Sequence, residues 1–88
     1  MAITVYTKPA CSLCKLTIGK FKTAGLDVQI VDVSVTPSAL EYITEELGYA
    51  QAPVVVYERE GSEDHWSGMN PDKINQVIGL ETAPAVKP

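Results

Sequence analysis

Cys11 and Cys14 are the 2 cysteines of this chain, set as Cys11-Ser12-Leu13-Cys14. Two thiols at that spacing on the first turn of a helix can close a disulfide over a very short loop and open it again. The chemistry is a two-electron redox couple. The attacking species in thiol–disulfide exchange is a thiolate, and an ordinary cysteine with a pKa of about 8.5 supplies little of it at neutral pH. The unpaired N–H groups and dipole of a helix N-terminus stabilise an anion there. Cys11 falls at or just before such a first turn, so its sulfur is expected to be exposed and ionisable. Cys14 falls one turn later on the apolar face and is expected to be buried. Cys11 therefore reads as the nucleophile that attacks a substrate disulfide. Cys14 reads as the resolving thiol that attacks the mixed disulfide and releases reduced substrate.

These cysteines need a strand to deliver them and a helix to hold them. Residues 2–6 form an apolar run suited to a buried strand, and Pro9 and Ala10 suit a turn. Cys14, Thr17, Ile18 and Phe21 recur at helical spacing and predict one inward face, with Lys15 and Lys22 outside. Gly25 suits the C-terminal cap. Val28 to Val33 predicts a second strand. Thr36 and Pro37 suit an N-cap and first-turn pair for a helix burying Leu40, Ile43 and Leu47 and stopping at Gly48. Val54 to Tyr57 predicts a short strand, and Arg59 to Asp64 a polar turn pivoting on Gly61. His65-Trp66-Ser67 reads as a strand end. Asn70 and Pro71 open a last helix with Ile74, Val77 and Ile78 inward, closed by Gly79. The order is β-α-β-α-β-β-α. A right-handed crossover makes the first two strands parallel, and the last two suit a hairpin. The expected architecture is α/β, a four-stranded mixed sheet with helices on both faces. It occupies residues 1–80 as a single domain, followed by a mobile tail over 81–88.

A chain of 88 residues is one domain with one modest core. The opening shows no basic leader before a long apolar stretch, and no apolar run reaches the roughly 20 residues of a membrane helix. The expected location is cytoplasmic, with no membrane contact. There a structural disulfide is disfavoured, and C-x-x-C near a βαβ pattern reads as redox-active. A net charge of −4 argues against nucleic acid as a partner. The charge is unevenly placed. Residues 1–25 carry Lys8, Lys15, Lys20 and Lys22 and no acid, while the remainder, with 11 acids, is strongly negative. The lysines have two readings, a solvated helix face or a patch that favours the thiolate and attracts an acidic partner segment.

Other residues divide in the same way. Pro53, after Ala52, is structurally an unremarkable proline before a strand. Functionally, a cis bond at Ala52–Pro53 would expose backbone groups to pair with an extended substrate. Trp66 is a core residue or a docking residue. Ser67 and Gly68 suit a tight turn with free N–H groups, able to bind a carboxylate or to fix the Pro53 loop. His65, the single histidine, stands beside Glu63 and Asp64 and is expected on the surface, rather than as a general base or ligand.

Three stretches carry a family resemblance over about residues 2–80. They are Val5-Tyr6-Thr7-Lys8-Pro9-Ala10-Cys11-Ser12-Leu13-Cys14, Gly48-Tyr49-Ala50-Gln51-Ala52-Pro53-Val54-Val55 and Trp66-Ser67-Gly68-Met69-Asn70-Pro71. The chain resembles the glutaredoxin-like proteins of the thioredoxin fold, most closely the NrdH-redoxins. The third stretch is similar to the W-S-G-[hydrophobic]-x-P signature of that group. True glutaredoxins usually place there a Gly-Gly stretch followed by acidic residues, which holds glutathione. The resemblance implies a small monomeric dithiol carrier with no bound cofactor or metal. It is reduced by thioredoxin reductase, and so indirectly by NADPH. It donates electrons to the large subunit of a class Ib ribonucleotide reductase. It also implies that Cys11 is the nucleophile, Cys14 the resolving thiol and Pro53 the cis-proline. Lys8, Ala52, Trp66, Ser67 and Gly68 then belong to the partner surface or its support. The chain departs from the usual pattern at Ser12-Leu13, where Val-Gln or a similar pair is common, and at Met69 and Asn70. The inter-cysteine pair helps set redox potential.

Three alternatives stand beside that one. A glutathione-dependent glutaredoxin would use the basic patch for the two glutathione carboxylates, with Lys8 among the contacts. A metal-binding module would have only Cys11, Cys14 and His65 to offer, short of the four ligands zinc wants. An interaction domain would leave the thiols incidental.

Overall fold

Ile3 and Val5 are buried and alternate with half-buried neighbours along β1 (Ala2–Thr7), so one face of the strand is sealed and the other only partly covered. The computed structural model describes residues 2–82; Met1 and residues 83–88 lie outside them. β1 leads through a turn into α1 (Ser12–Thr23), and β2 (Gln29–Asp32) returns parallel to β1 with Val5 opposite Ile30. A short α2 (Pro37–Glu41) runs directly into one π-helical stretch, Tyr42–Glu46. β3 (Val54–Arg59) pairs antiparallel with β1, Val55 opposite Val5, and β4 (Ser62–Ser67) closes a hairpin on β3. α3 (Pro71–Thr82) ends the described chain. The strand order is β2-β1-β3-β4, the mixed four-stranded sheet expected from the sequence.

The period-two alternation of the strands divides the core. Ile3, Val5, Val55, Tyr57 and Trp66 point to the face covered by α1 and α3, where Phe21, Ile74 and Val77 meet them. Val54 and Val33 point to the other face and pack on Ala39 and Ile43. β3 feeds both layers, which is why Val54-Val55-Val56-Tyr57 is buried throughout.

Four local expectations need correction. Leu40 is not buried but 45% exposed, and Ala39 faces the core in its place. The buried pair is Ala39 and Ile43, one α-helical turn apart. The π-helical bond from the Leu47 amide to the Tyr42 carbonyl (3.1 Å) then widens the following turn, which a fixed 3.6 period does not anticipate. Thr36 stands at the cap position of α2, but its side chain makes no capping bond. The polar turn expected over Arg59 to Asp64 is mostly strand, with only Glu60 and Gly61 at the hairpin tip. Finally, α3 does not stop at Gly79. Arg59 donates to the Leu80 carbonyl (3.1 Å) and the Tyr57 hydroxyl donates to the Glu81 carboxylate, so tertiary bonds hold the last turn. Glu81 and Thr82 therefore belong to the helix, and the rest of the expected tail, 83–88, lies outside the described residues.

Candidate active site

The carboxyl end of β1 places the cysteine loop. Thr7 is the last residue of the central strand, and Pro9 and Ala10 turn the chain, with Ala10 in the left-handed region at φ 58°. α1 then begins at Ser12 with Cys11 as its N-cap. The Cys14 amide donates to the Cys11 sulfur at 3.1 Å, so a sulfur occupies the place usually taken by a capping oxygen. Cys11 and Cys14 form a disulfide with Cα atoms 5.2 Å apart. Cys14 is 2% exposed, whereas Cys11 is half-buried and closer to solvent. An incoming thiolate therefore reaches Cys11 more readily. When the bond opens, the amides of the first helical turn face the sulfur that becomes Cys11 thiolate.

Strand register brings the other candidates to the same end of the sheet. Tyr6 pairs with Val54, and Val54 pairs with Ser67. One residue further along, Pro53 lies at the end of β3 next to the end of β1. The Gly68 amide donates to the Pro53 carbonyl at 2.8 Å. The Val33 amide donates to the Thr7 carbonyl at 2.9 Å from the other side. The ends of all four strands thus form one ledge below the cysteine loop. The Ala52–Pro53 peptide is cis, and Pro53 is buried while Ala52 is half-buried. Lys8 is exposed in the turn that leads to Cys11.

Ser67 and Gly68 are half-buried on the ledge, and Gly68 has φ 78°, a conformation that favours glycine. Trp66 has a different place. It is 5% exposed and packs in the layer beneath α1 and α3, so its indole supports the ledge from within the core. Its Nε1 finds no hydrogen-bond partner among the described residues. Met69 continues the segment to α1, where the buried Thr17 hydroxyl donates to the Met69 sulfur at 3.5 Å.

His65 corrects a sequence expectation. It is half-buried, and the Tyr49 hydroxyl lies 2.8 Å from its Nδ1 with the two rings edge to face. Tyr49 sits in the segment leading to Pro53, so this pair ties that segment to β4. No local sequence signal links the two residues; they meet because Tyr49 packs against the cluster of Val54 and Ile43 on the sheet face to which His65 of β4 turns. Among the described residues, no group of three or more His, Cys, Asp and Glu could hold a metal ion. No helix among them is long and apolar enough to cross a membrane.

Comparison with known proteins decides the family. The sequence model of the glutaredoxin family matches residues 3–61. The glutaredoxin-like protein NrdH of Escherichia coli K12 is 34% identical over 77 residues, covering 88% of this chain and 89% of that protein. The chain belongs to the glutaredoxin family, on its NrdH-redoxin branch. The solved NrdH-redoxin from Escherichia coli superposes with a TM-score of 0.79, covering 96% of this chain and all of that one. The Gene 56 protein of Mycobacterium phage L5 is 35% identical over 81 residues, covering 92% of this chain and 76% of the phage protein. For this NrdH-like chain, the fold expected from the sequence is the thioredoxin-like fold observed. Its cysteine pair is that of a thiol–disulfide oxidoreductase.

Proposed function

We propose that this protein is a dithiol electron carrier, reduced by thioredoxin reductase and donating to the large subunit of a class Ib ribonucleotide reductase. The observation that carries this reading is the end-to-end likeness to an NrdH-redoxin, which includes the Trp66-Ser67-Gly68-Met69-Asn70-Pro71 segment. The solved Escherichia coli protein is described as having a thioredoxin-like activity profile, which favours thioredoxin reductase over glutathione as the electron source proposed here.

The half-reaction balances on this chain's own sulfurs. The Cys11 thiolate attacks one sulfur of a partner disulfide, forming a mixed disulfide and releasing a partner thiolate, which takes a proton. The Cys14 thiol loses its proton and attacks the Cys11 sulfur. The intramolecular disulfide forms, and the second partner thiolate leaves. Two electrons pass to the partner. Thioredoxin reductase returns two electrons from NADPH, so NADPH acts indirectly and the carrier needs no bound cofactor. In this reading the half-buried Ala52 lines the partner's extended segment and the buried cis-Pro53 holds it in place, with Ser67 and Gly68 fixing the ledge and Trp66 supporting it. Lys8 meets acidic groups near the partner's cysteines.

The test is NADPH consumption with the oxidised protein as acceptor, run with thioredoxin reductase and separately with glutathione plus glutathione reductase. Rapid reduction by thioredoxin reductase alone is expected. Rapid reduction by glutathione alone would make the protein a glutathione-dependent glutaredoxin and overturn the reading.

A further inference from the structure

α1 carries Lys15, Lys20 and Lys22 and no acid, and none of these lysines forms an ion pair among the described residues. Between α1 and α3 lies an open groove of about 550 Å³. Lys15 and Lys20 line it on the α1 side together with Leu16 and Gly19, and Asn75 and Ile78 line it on the α3 side. Leu16 is 54% exposed there. Among the described residues no carboxylate lines the groove, although the protein as a whole is acidic. Gly19 leaves it open, since a Cβ at that position would meet nothing within 4 Å.

The groove's lining begins at the residue that follows Cys14 in the chain. Lys15 and Leu16 directly follow Cys14, and Gly19 lies about 7.5 Å further along the helix axis at the usual rise per residue. Leu13, between the cysteines, is 44% exposed and stands one turn before Leu16. Two exposed leucines at i, i+3 spacing, Leu13 between the cysteines and Leu16 in the groove, thus stand on neighbouring helix positions.

We propose that this groove docks an acidic segment of the protein whose disulfide is reduced, with one aliphatic side chain of that segment lying against Leu16 and Ile78. Charge complementarity selects the occupant. A basic segment would meet Lys15 and Lys20, and a neutral one would gain only the apolar contact. This rests on the dithiol-carrier reading and adds to it a substrate preference set outside the sulfurs. Unpaired cations beside an apolar slot raise the encounter rate of an acidic chain and lose that advantage in salt.

The test uses two synthetic peptides, each with one disulfide and a ten-residue extension containing one leucine. One extension is rich in Glu and Asp, the other has Gln and Asn in their place. Pre-reduced protein is mixed with each, and peptide reduction is followed by chromatography. The acidic peptide is expected to be reduced about tenfold faster at low salt, with the difference collapsing in 0.5 M salt. Gly19→Gln, a helix-favouring change that fills the groove, and Lys20→Glu are each expected to abolish the preference. Lys20→Glu should still reduce the neutral peptide at the parent rate, and Gly19→Gln should still reduce a disulfide peptide without an extension at the parent rate. Equal rates on the two peptides would overturn the groove and leave the dithiol carrier standing, as would a preference that survives both substitutions. Reduction of neither peptide would overturn both. A dimer in sedimentation that Gly19→Gln converts to monomer would make the occupant a second copy of this chain and overturn the proposal.

Discussion

The Gly68 amide donates to the Pro53 carbonyl at 2.8 Å, joining the residue after β4 to the residue before β3. That bond carries the hairpin ladder one step past its last strand pair, to the ledge beneath the cysteines. It needs residue 68 at φ 78°. A Cβ there would meet nothing within 4 Å, so the cost of a side chain is conformational and not steric. Gly68→Ala is expected to lower stability by about 1–2 kcal/mol, the penalty of a left-handed non-glycine residue. Urea unfolding checks it, through a lower midpoint at unchanged slope. An unaltered midpoint would count against the left-handed turn.

Cys14 is buried beneath Cys11, so the two serine variants should differ in kind. Cys11→Ser is expected to abolish disulfide reduction. Cys14→Ser is expected to attack once and then stall, leaving a mixed disulfide with its target that non-reducing electrophoresis and mass spectrometry detect. Parent-rate turnover by Cys14→Ser on a protein disulfide would refute the resolving role.

Ala10 precedes the nucleophile at φ 58°. A left-handed alanine costs about 1–2 kcal/mol, whereas glycine adds a smaller loss through the entropy of the unfolded chain. Ala10→Gly is therefore expected to stabilise the fold by about 0.5–1 kcal/mol. A raised urea midpoint is the readout, and a lowered one would contradict the turn geometry.

Lys73 donates to the Asp64 carboxylate at 2.7 Å, and this bond holds the Asp64 carboxyl below its ordinary value of 3.8. A carboxyl depressed by folding stabilises the protein above its unfolded pKa. The contribution disappears as pH falls through the lower folded value. Both side chains are more than a third exposed, 37% and 44%, so the pair is worth at most about 1 kcal/mol. Lys73→Met is expected to destabilise by that amount or less at pH 7. The difference from the parent should shrink below pH 4, on the order of the unfolded aspartate pKa. Urea midpoints at both pH values measure it, and a difference independent of pH would exclude the ion pair as the cause.

Much of this protein is decided by neighbours in sequence. Cys11 and Cys14 stand at the start of a helix whose inward row of Cys14, Thr17 and Phe21 recurs at its own period, and all three are buried. Helical spacing is a local property, so the redox pair, its asymmetric burial and the order of elements follow from the chain as written. Asn70 caps α3 by accepting from the Lys73 amide at 3.1 Å, and a cap acts within one turn. The departures occur where local period meets tertiary packing. Leu40 lost its expected burial to Ala39 beside a π-helical stretch, and α3 continued past Gly79 because Tyr57 and Arg59 hold its end. The site beyond the sulfurs belongs to tertiary structure. Tyr49 and His65 meet across 16 residues, and Thr17 and Met69 across 52. Pro53 reaches the cysteine end of the sheet, and Trp66 turns into the core, only through strand register, since a shift of one residue would exchange the faces of every side chain. The groove between α1 and α3 arises from how two helices seat on one face of the sheet, a relation no stretch of either helix contains.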